Sequence, residues 1–409
     1  MSDGPLTIDR ASTSLHQEPA FMRWAVAEGV SWVGSAITTV VLPVLVFEAT
    51  GSAAQTGIVF ALRVVPYLVF GLVAGPLADR GNRRLLIVGG NVIEGVLVAS
   101  IPVAHALGVL GVAQVYAVGL LSATAFVFSD AAVFGAVPAL VGPERVPAAN
   151  GMLASISATT EILGPLVAGA LVALVGPATA VSVDAVSFFV AAAVQTSLRS
   201  DFRDPAGGGT AAGGARAAWR FIREHTAVLT LVGVGFGNSL AFGAVFGLLV
   251  PYAADRLGFA TGDARIGVLY GAIGVGNLVA GLVFARLFRT RRIPVLTPAT
   301  LLCSGVLAIA LAATTGWVLA AVLIGTFALA STTTITAGIT YRQLVAPDHL
   351  RSSVNVIGRM VSWGGQPFGA ALGALAASAT TVPAAYAGAG VVMAVTAVVA
   401  RLLLRSAIR

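Results

Sequence analysis

Residues 72–83 read "LVAGPLADRGNR", and residues 278–289 read "LVAGLVFARLFR". Leu-Val-Ala-Gly recurs at an offset of 206 residues, and with it Arg80/Arg286 and Arg83/Arg289. In both places a long apolar run stops and charge begins. A second echo joins "PERVPAANGM" (143–152) to "PDHLRSSVNV" (347–356). Each precedes an apolar run that carries a proline, Pro165 in one and Pro367 in the other. Two echoes in corresponding places point to a chain built of two related halves.

Composition says what surrounds those halves. Charged residues are 10% of the 409 and hydrophobic residues 57%, where soluble domains carry about 25% charged. Mean hydropathy is +0.93. A bilayer-spanning helix needs about 20 mostly apolar residues. Runs of that length lie near 22–47, 54–78, 85–106, 111–140, 151–175, 178–198, 227–252, 264–288, 294–315, 317–341, 353–378 and 381–404. The long polar break at 199–226 divides these twelve spans six and six. The expected fold is an all-α integral membrane protein, twelve transmembrane helices in two pseudo-symmetric six-helix halves. Residues 1–20 read as a flexible arm, 21–198 as the first half, 199–226 as a linker and 227–409 as the second half.

Charge orients the bundle. The basic residues are all Arg. With the N-terminus inside, the cytoplasmic segments hold Arg80, Arg83, Arg84, Arg145, Arg199, Arg203, Arg216, Arg220, Arg223, Arg286, Arg289, Arg291, Arg292, Arg342, Arg351, Arg405 and Arg409. Outer loops hold Arg256 and Arg265. Positive charge is retained on the cytoplasmic side. Both termini and the linker are therefore expected in the cytoplasm of a bacterium, with the chain in its inner membrane. The net charge of +7 follows from this placement and needs no nucleic acid. The single Cys303 gives no disulfide, and the four His show no metal-ligand spacing. No nucleophile-base arrangement or phosphate-binding loop stands out. An enzyme, a cofactor and a metal are not expected.

Gly75-x-x-x-Asp79-Arg80-x-x-Arg83-Arg84 resembles the signature between helices 2 and 3 of major facilitator superfamily transporters. The likeness extends over nearly the whole chain. It implies that Asp79 docks against the start of helix 11 and that the Arg residues pair with acids nearby, latching the cytoplasmic gate. Asn82 stands where the family usually has Gly, and Ala285 stands where the second copy would have its Asp. "GPLVAG", from Gly164 through Pro165 to Gly169, resembles the helix-5 signature of drug–proton antiporters, with Ala168 in place of one Gly. "ALVGPERVPAANGM" and the segment from Tyr341 to Gly373 are similar to the branch containing macrolide efflux pumps and the enterobactin exporter. The resemblance implies alternating access by two rocking halves around a midplane cavity.

Ionisable residues inside spans are functional candidates by default. Here they are Glu28, Arg63, Glu94, Asp130, Glu161, Asp184 and Arg359. Glu28, Trp32, Ser35 and Thr39 fall on one helical stripe, with Glu28 roughly 10 Å from the cytoplasmic end. Ser122, Phe126 and Asp130 share a face of span 4; Asn238, Phe242 and Phe246 share one of span 7. Span 10 carries a Thr-rich stretch that includes Thr333. The resemblance makes spans 1, 4, 7 and 10 the cavity lining. Aromatic rings with small hydroxyls suit a bulky, mainly apolar solute. Proton-coupling candidates are Glu28, Asp130, Glu161 and Asp184. Asp130 could instead pair with Arg80 or Arg84, Glu161 with Arg63, and Asp184 lies near a span end where water could hold it. The expected function is export of a hydrophobic or amphipathic small molecule, a drug, antibiotic or secondary metabolite, by proton antiport from a monomer. A facilitator or importer on the same fold is the alternative.

Overall fold

The computed structural model describes residues 18–198, 214–287, 293–347 and 350–408. The first half comprises α1 (Pro19–Thr50), α2 (Ala53–Arg80), α3 (Arg83–Ala106), α4 (Val112–Val141), α5 (Val146–Val175), α6 (Pro177–Ala180) and α7 (Ser182–Ser197). A short helix, α8 (Gly214–Glu224), lies in the inter-half segment. The second half comprises α9 (Thr226–Gly247), α10 (Leu249–Asp255), α11 (Arg265–Leu287), α12 (Ile293–Ala313), α13 (Trp317–Val345), α14 (Arg351–Trp363), α15 (Gly365–Ala379) and α16 (Val382–Ile408). No strand occurs among the described residues. The twelve crossings are α1 to α5, α6 with α7, α9 with α10, α11 to α13, α14 with α15, and α16.

Local chemistry sets the ends. Ser52 Oγ accepts from the Gln55 amide at 3.3 Å and caps α2. Asn82 Oδ1 accepts from the Leu85 amide at 3.2 Å and caps α3. Asn at this position therefore has a structural job that Gly could not do. The stretch expected as the arm, 1–20, already turns helical at Pro19; residues 1–17 lie outside the described residues, as do 199–213 of the linker.

Among the described residues, eleven helices are long and apolar enough to cross a bilayer. The eleventh crossing, expected as one helix over 353–378, is broken at Gly364. Gly364 and Gly365 form a glycine pair, a common kink site. A Cβ on Gly365 would collide with the Phe236 carbonyl of α9, so the break also lets two backbones touch.

The apolar core shows which side of the bundle is shut. The face from which α1 starts is here called proximal, the other distal. Toward the distal face one cluster runs through both halves, from Val40, Val44 and Phe188 to Leu248, Tyr252 and Ile273. Toward the proximal face the core splits in two. Phe21, Trp24, Ile87 and Val141 form one cluster in the first half. Ala218, Ile222, Val228 and Val354 form another in the second. In α1 every residue from Val40 to Phe47 is buried, and so is every residue from Leu249 to Ala253 in α10. A helix of a two-half bundle is buried on all sides only where both halves close around it. The halves meet distally and part proximally.

Lipid tails are as apolar as Leu, so helices in a bilayer associate through close packing of small residues. Two seams join the halves this way. A Cβ on Gly169 of α5 would stand 2.5 Å from the Ala264 carbonyl and 3.0 Å from Gly267 Cα of α11. A Cβ on Gly57 of α2 would stand 2.5 Å from Ala374 Cβ of α15.

Candidate functional site

Glu28 of α1 is 7% exposed. Its Oε1 accepts from Gln195 Nε2 of α7 at 2.8 Å. Gln195 Oε1 in turn accepts from Asn91 Nδ2 of α3 at 3.0 Å, and Asn91 also donates to the Ile87 carbonyl at 3.0 Å. An amide has one accepting and one donating end. The chain therefore has a direction: Asn91 orients Gln195, and Gln195 presents its N–H to Glu28.

Glu28 lines a cavity of about 40 Å³ with Trp32, Ser35, Phe126 and Asp130, all four anticipated from the sequence. Glu94 of α3, 5% exposed, lines it too. Three carboxylates from α1, α3 and α4 thus surround one small space. Among the described residues none of them has an Arg within 4 Å. Asp130 feels the guanidinium of Arg359, which comes from α14 in the other half. It does not pair with Arg84, which donates instead to the Thr196 carbonyl. The side chains of Asp79 and Arg80 lie outside the described residues.

Asp184 is 1% exposed, so water does not hold it. The Thr38 hydroxyl of α1 donates to its Oδ2, and Ser187 stands beside it. Gly34 makes this possible, since any Cβ there would collide with the Asp184 side chain. Arg63 is the nearest compensation, acting electrostatically on both Asp184 and Glu94. Its stem packs beside Gly119 of α4, where a Cβ would sit 3.5 Å from Arg63 Cγ, an ordinary contact.

Glu161 is exposed and does not pair with Arg63. It accepts from Asn277 Nδ2 of α11 at 3.0 Å, and Asn277 Oδ1 accepts from the Thr332 hydroxyl of α13 at 2.6 Å. This link crosses from one half to the other. Below it, Gly164 packs on Ala36 of α1 and Gly169 on Gly267, while the Pro165 carbonyl abuts Gly267. The Gly-Pro segment of α5 is a joint between α1 and α11.

In the second half the anticipated residues form an aromatic plug. Phe246 packs against Phe60 at 5.0 Å and Tyr270 at 5.2 Å between ring centres; Phe242 lies 5.5 Å from Phe246 and 6.0 Å from Phe327. Asn238 is fully buried and donates to Ser331 Oγ at 2.9 Å. The hydroxyls of Thr39 and Thr333 are spent on carbonyls of their own helices, Ser35 and Leu329. Proximally, Gly75 touches nothing that a Cβ would meet within 4 Å, as fits ends that have parted.

The sequence reading passed over Asn91, Gln195 and Asn277, and left Glu94 unassigned. A signal existed for one pair, because Asn91 and Glu94 lie three apart on one helix face.

The arrangement offers buried carboxylates around a small cavity in the first half and no metal-binding group of His, Cys, Asp or Glu among the described residues. The profile of the Major Facilitator Superfamily matches residues 24–364. The enterobactin exporter EntS of Escherichia coli O139:H28 is 26% identical over 375 residues, covering 91% of this chain and 89% of the relative. A nucleoside transporter, NupG, superposes with a TM-score of 0.74 at 12% identity, covering 96% of this chain and 99% of that one. A bacterial homologue of the iron transporter ferroportin gives 0.73 at 16% identity, covering 96% and 99%. The matched span and the twelve-crossing, two-half architecture lead to one conclusion: the chain belongs to the major facilitator superfamily of membrane transporters.

Proposed function

We propose that this transporter exports a hydrophobic or amphipathic small molecule in exchange for protons, by alternating access. Its proximal face is the cytoplasmic one, on the strength of the Arg placement. The observation that carries proton coupling is the trio of Glu28, Glu94 and Asp130 around one cavity. A buried ionised carboxylate without an opposing cation is costly, and taking up a proton removes the cost. Glu28 is the best carrier of the three, since its hydrogen-bond donor is a neutral amide. Asp184 and Glu161 are second-rank candidates, the first boxed in by hydroxyls and the second exposed.

Export is supported by the name of the similar EntS protein, and a mainly apolar solute by Trp32, Phe126, Phe242 and Phe246. The state described here, open proximally, is then the one that loads cargo from the cytoplasm. The latch of Gly75, Asp79, Arg80, Arg83 and Arg84 engages in the opposite state, when α2 and α14 approach. The molecule works as a monomer within the bilayer.

The test is transport in proteoliposomes with an imposed pH gradient, using a panel of lipophilic dyes. Dye movement against its gradient, driven by the pH difference, is expected in the wild type. Glu28→Gln should lose driven transport and keep dye exchange at zero gradient. Dye movement indifferent to the pH difference would replace the antiporter with a facilitator.

A further inference from the structure

The second half holds a buried cation that the carboxylate cavity does not serve. Arg342, near the end of α13, is 2% exposed. Among the described residues its Nε has no hydrogen-bond partner and no carboxylate stands within 4 Å of it. A guanidinium cannot shed its charge, so burial alone does not explain it. Its place is nonetheless shaped for it. A Cβ on Gly358 of α14 would stand 2.6 Å from Arg342 Nε and 3.0 Å from its Cζ, so glycine there lets the guanidinium lie directly on α14, and a larger residue would displace it.

Arg342 and Arg359 line a common cavity with Thr334, Ser362 and Trp363. Its volume is about 10 Å³, room for a body the size of one water. The Arg359 guanidinium lies 5.5 Å above the Trp363 ring. The Thr334 hydroxyl is used on the Ala330 carbonyl and on Thr300. What the walls offer is two cations and their N–H groups. Two like charges on one small space repel unless an anion lies between them.

We propose that Arg342 and Arg359 form an anion subsite that binds one singly charged group. The group is either a carboxylate on an organic solute or a small inorganic anion such as chloride. The site goes beyond the proton-exchange reading and is tested without any gradient, so the two fail separately.

The experiment titrates the purified full chain in detergent with sodium benzoate and, separately, with sodium chloride. Ionic strength is balanced with sodium sulfate, whose tetrahedron of oxygens does not fit where the flat carboxylate edge of benzoate can enter between Arg342 and Arg359. Thermal unfolding and Trp363 fluorescence are read, with Trp363→Phe as the fluorescence control. A saturable rise in the unfolding midpoint is expected. Arg342→Gln should abolish it and, in anion-poor buffer, should unfold at a higher temperature than the wild type, because it deletes an uncompensated buried charge. Arg359→Gln changes an exposed side chain and keeps the test usable if Arg342→Gln does not fold; it should weaken binding by about tenfold. Saturation by benzoate assigns the site to an organic carboxylate; saturation by chloride alone assigns it to a free anion. No saturable response to either probe in the wild type overturns the proposal. So does an Arg342→Gln protein that melts lower than wild type yet responds to anions unchanged, since Arg342 would then be a structural brace.

Discussion

The two halves share a fold and divide the charge between them. Every carboxylate inside a span belongs to the first half: Glu28, Glu94, Asp130, Glu161 and Asp184. In the second half Asp255 and Asp263 lie in or next to a loop, Asp348 falls between the apolar runs 317–341 and 353–378, and Glu does not occur after residue 226. The buried polar side chains there, among the described residues, are Asn238, the hydroxyls of Ser and Thr such as Ser331 and Thr334, and the cation Arg342. Duplicated halves have therefore kept their packing and parted in chemistry. Packing is shared because both must present small residues to the other across two seams. Chemistry is free to differ because each half surrounds its own cavity.

The comparison is broken most directly by removing a first-half acid. Glu94→Gln should lower pH-driven transport at least about tenfold, the effect of about 1.4 kcal/mol, with expression and dye exchange preserved. If transport survives, proton handling is not the first half's task. A cycle of Asp130→Asn, Arg359→Gln and the double variant should cost severalfold for each single change. The double variant should be little worse than the worse single, because charges that act on each other electrostatically couple. Strict additivity would show that the halves do not speak through this pair. In the second half, Asn238→Ala should lower transport only two- to threefold, about the net worth of one hydrogen bond, and leave its pH profile where it was. The smallest effect concerns the distal loop. Arg265 hydrogen-bonds Asp263, at 2.5 Å from Nη2 to Oδ2, and holds its carboxyl below the usual carboxylate range. A depressed carboxylate stabilises the fold above its unfolded pKa, near 3.9, and that contribution fades as pH falls through the lower folded value. Wild type should thus melt slightly above Asp263→Asn at pH 7, and the gap should close in strong acid. A gap that persists there would come from packing of Arg265 on Phe259 instead.

Hydropathy and the repeated Leu-Val-Ala-Gly made the two-half helical bundle legible, since both depend on residues near in sequence. The Glu28 stripe was legible for the same reason: spacing along one helix fixes a face. Its partners were not. Gln195 lies 167 residues away from Glu28, and periodicity gives a face without saying which neighbour it meets. Asp184 read as a span-end residue because its depth is set by Gly34 on another helix. The break at Gly364 was hidden by continuous low charge on its distal side, where "GGQPFGAALG" reads as one apolar run. For Glu161 an Arg stood as the alternative partner by charge alone, whereas the structure offers it an amide from across the seam.

The collar of buried residues from Val40 to Phe47 has an electrical consequence. Eight residues of helix span about 12 Å, well under half of a hydrocarbon core of about 30 Å. If water fills the proximal opening, the membrane voltage falls almost wholly across that collar. The field there is then steeper than in the surrounding lipid, and Glu28 sits near the potential of the proximal compartment. On the alternating-access proposal the halves rock, the collar forms on the other side, and the same carboxylate takes the potential of the distal compartment. A proton carried by Glu28 would cross nearly the full voltage, about 2.3 kcal/mol per 100 mV, while the side chain itself moves only a few ångströms.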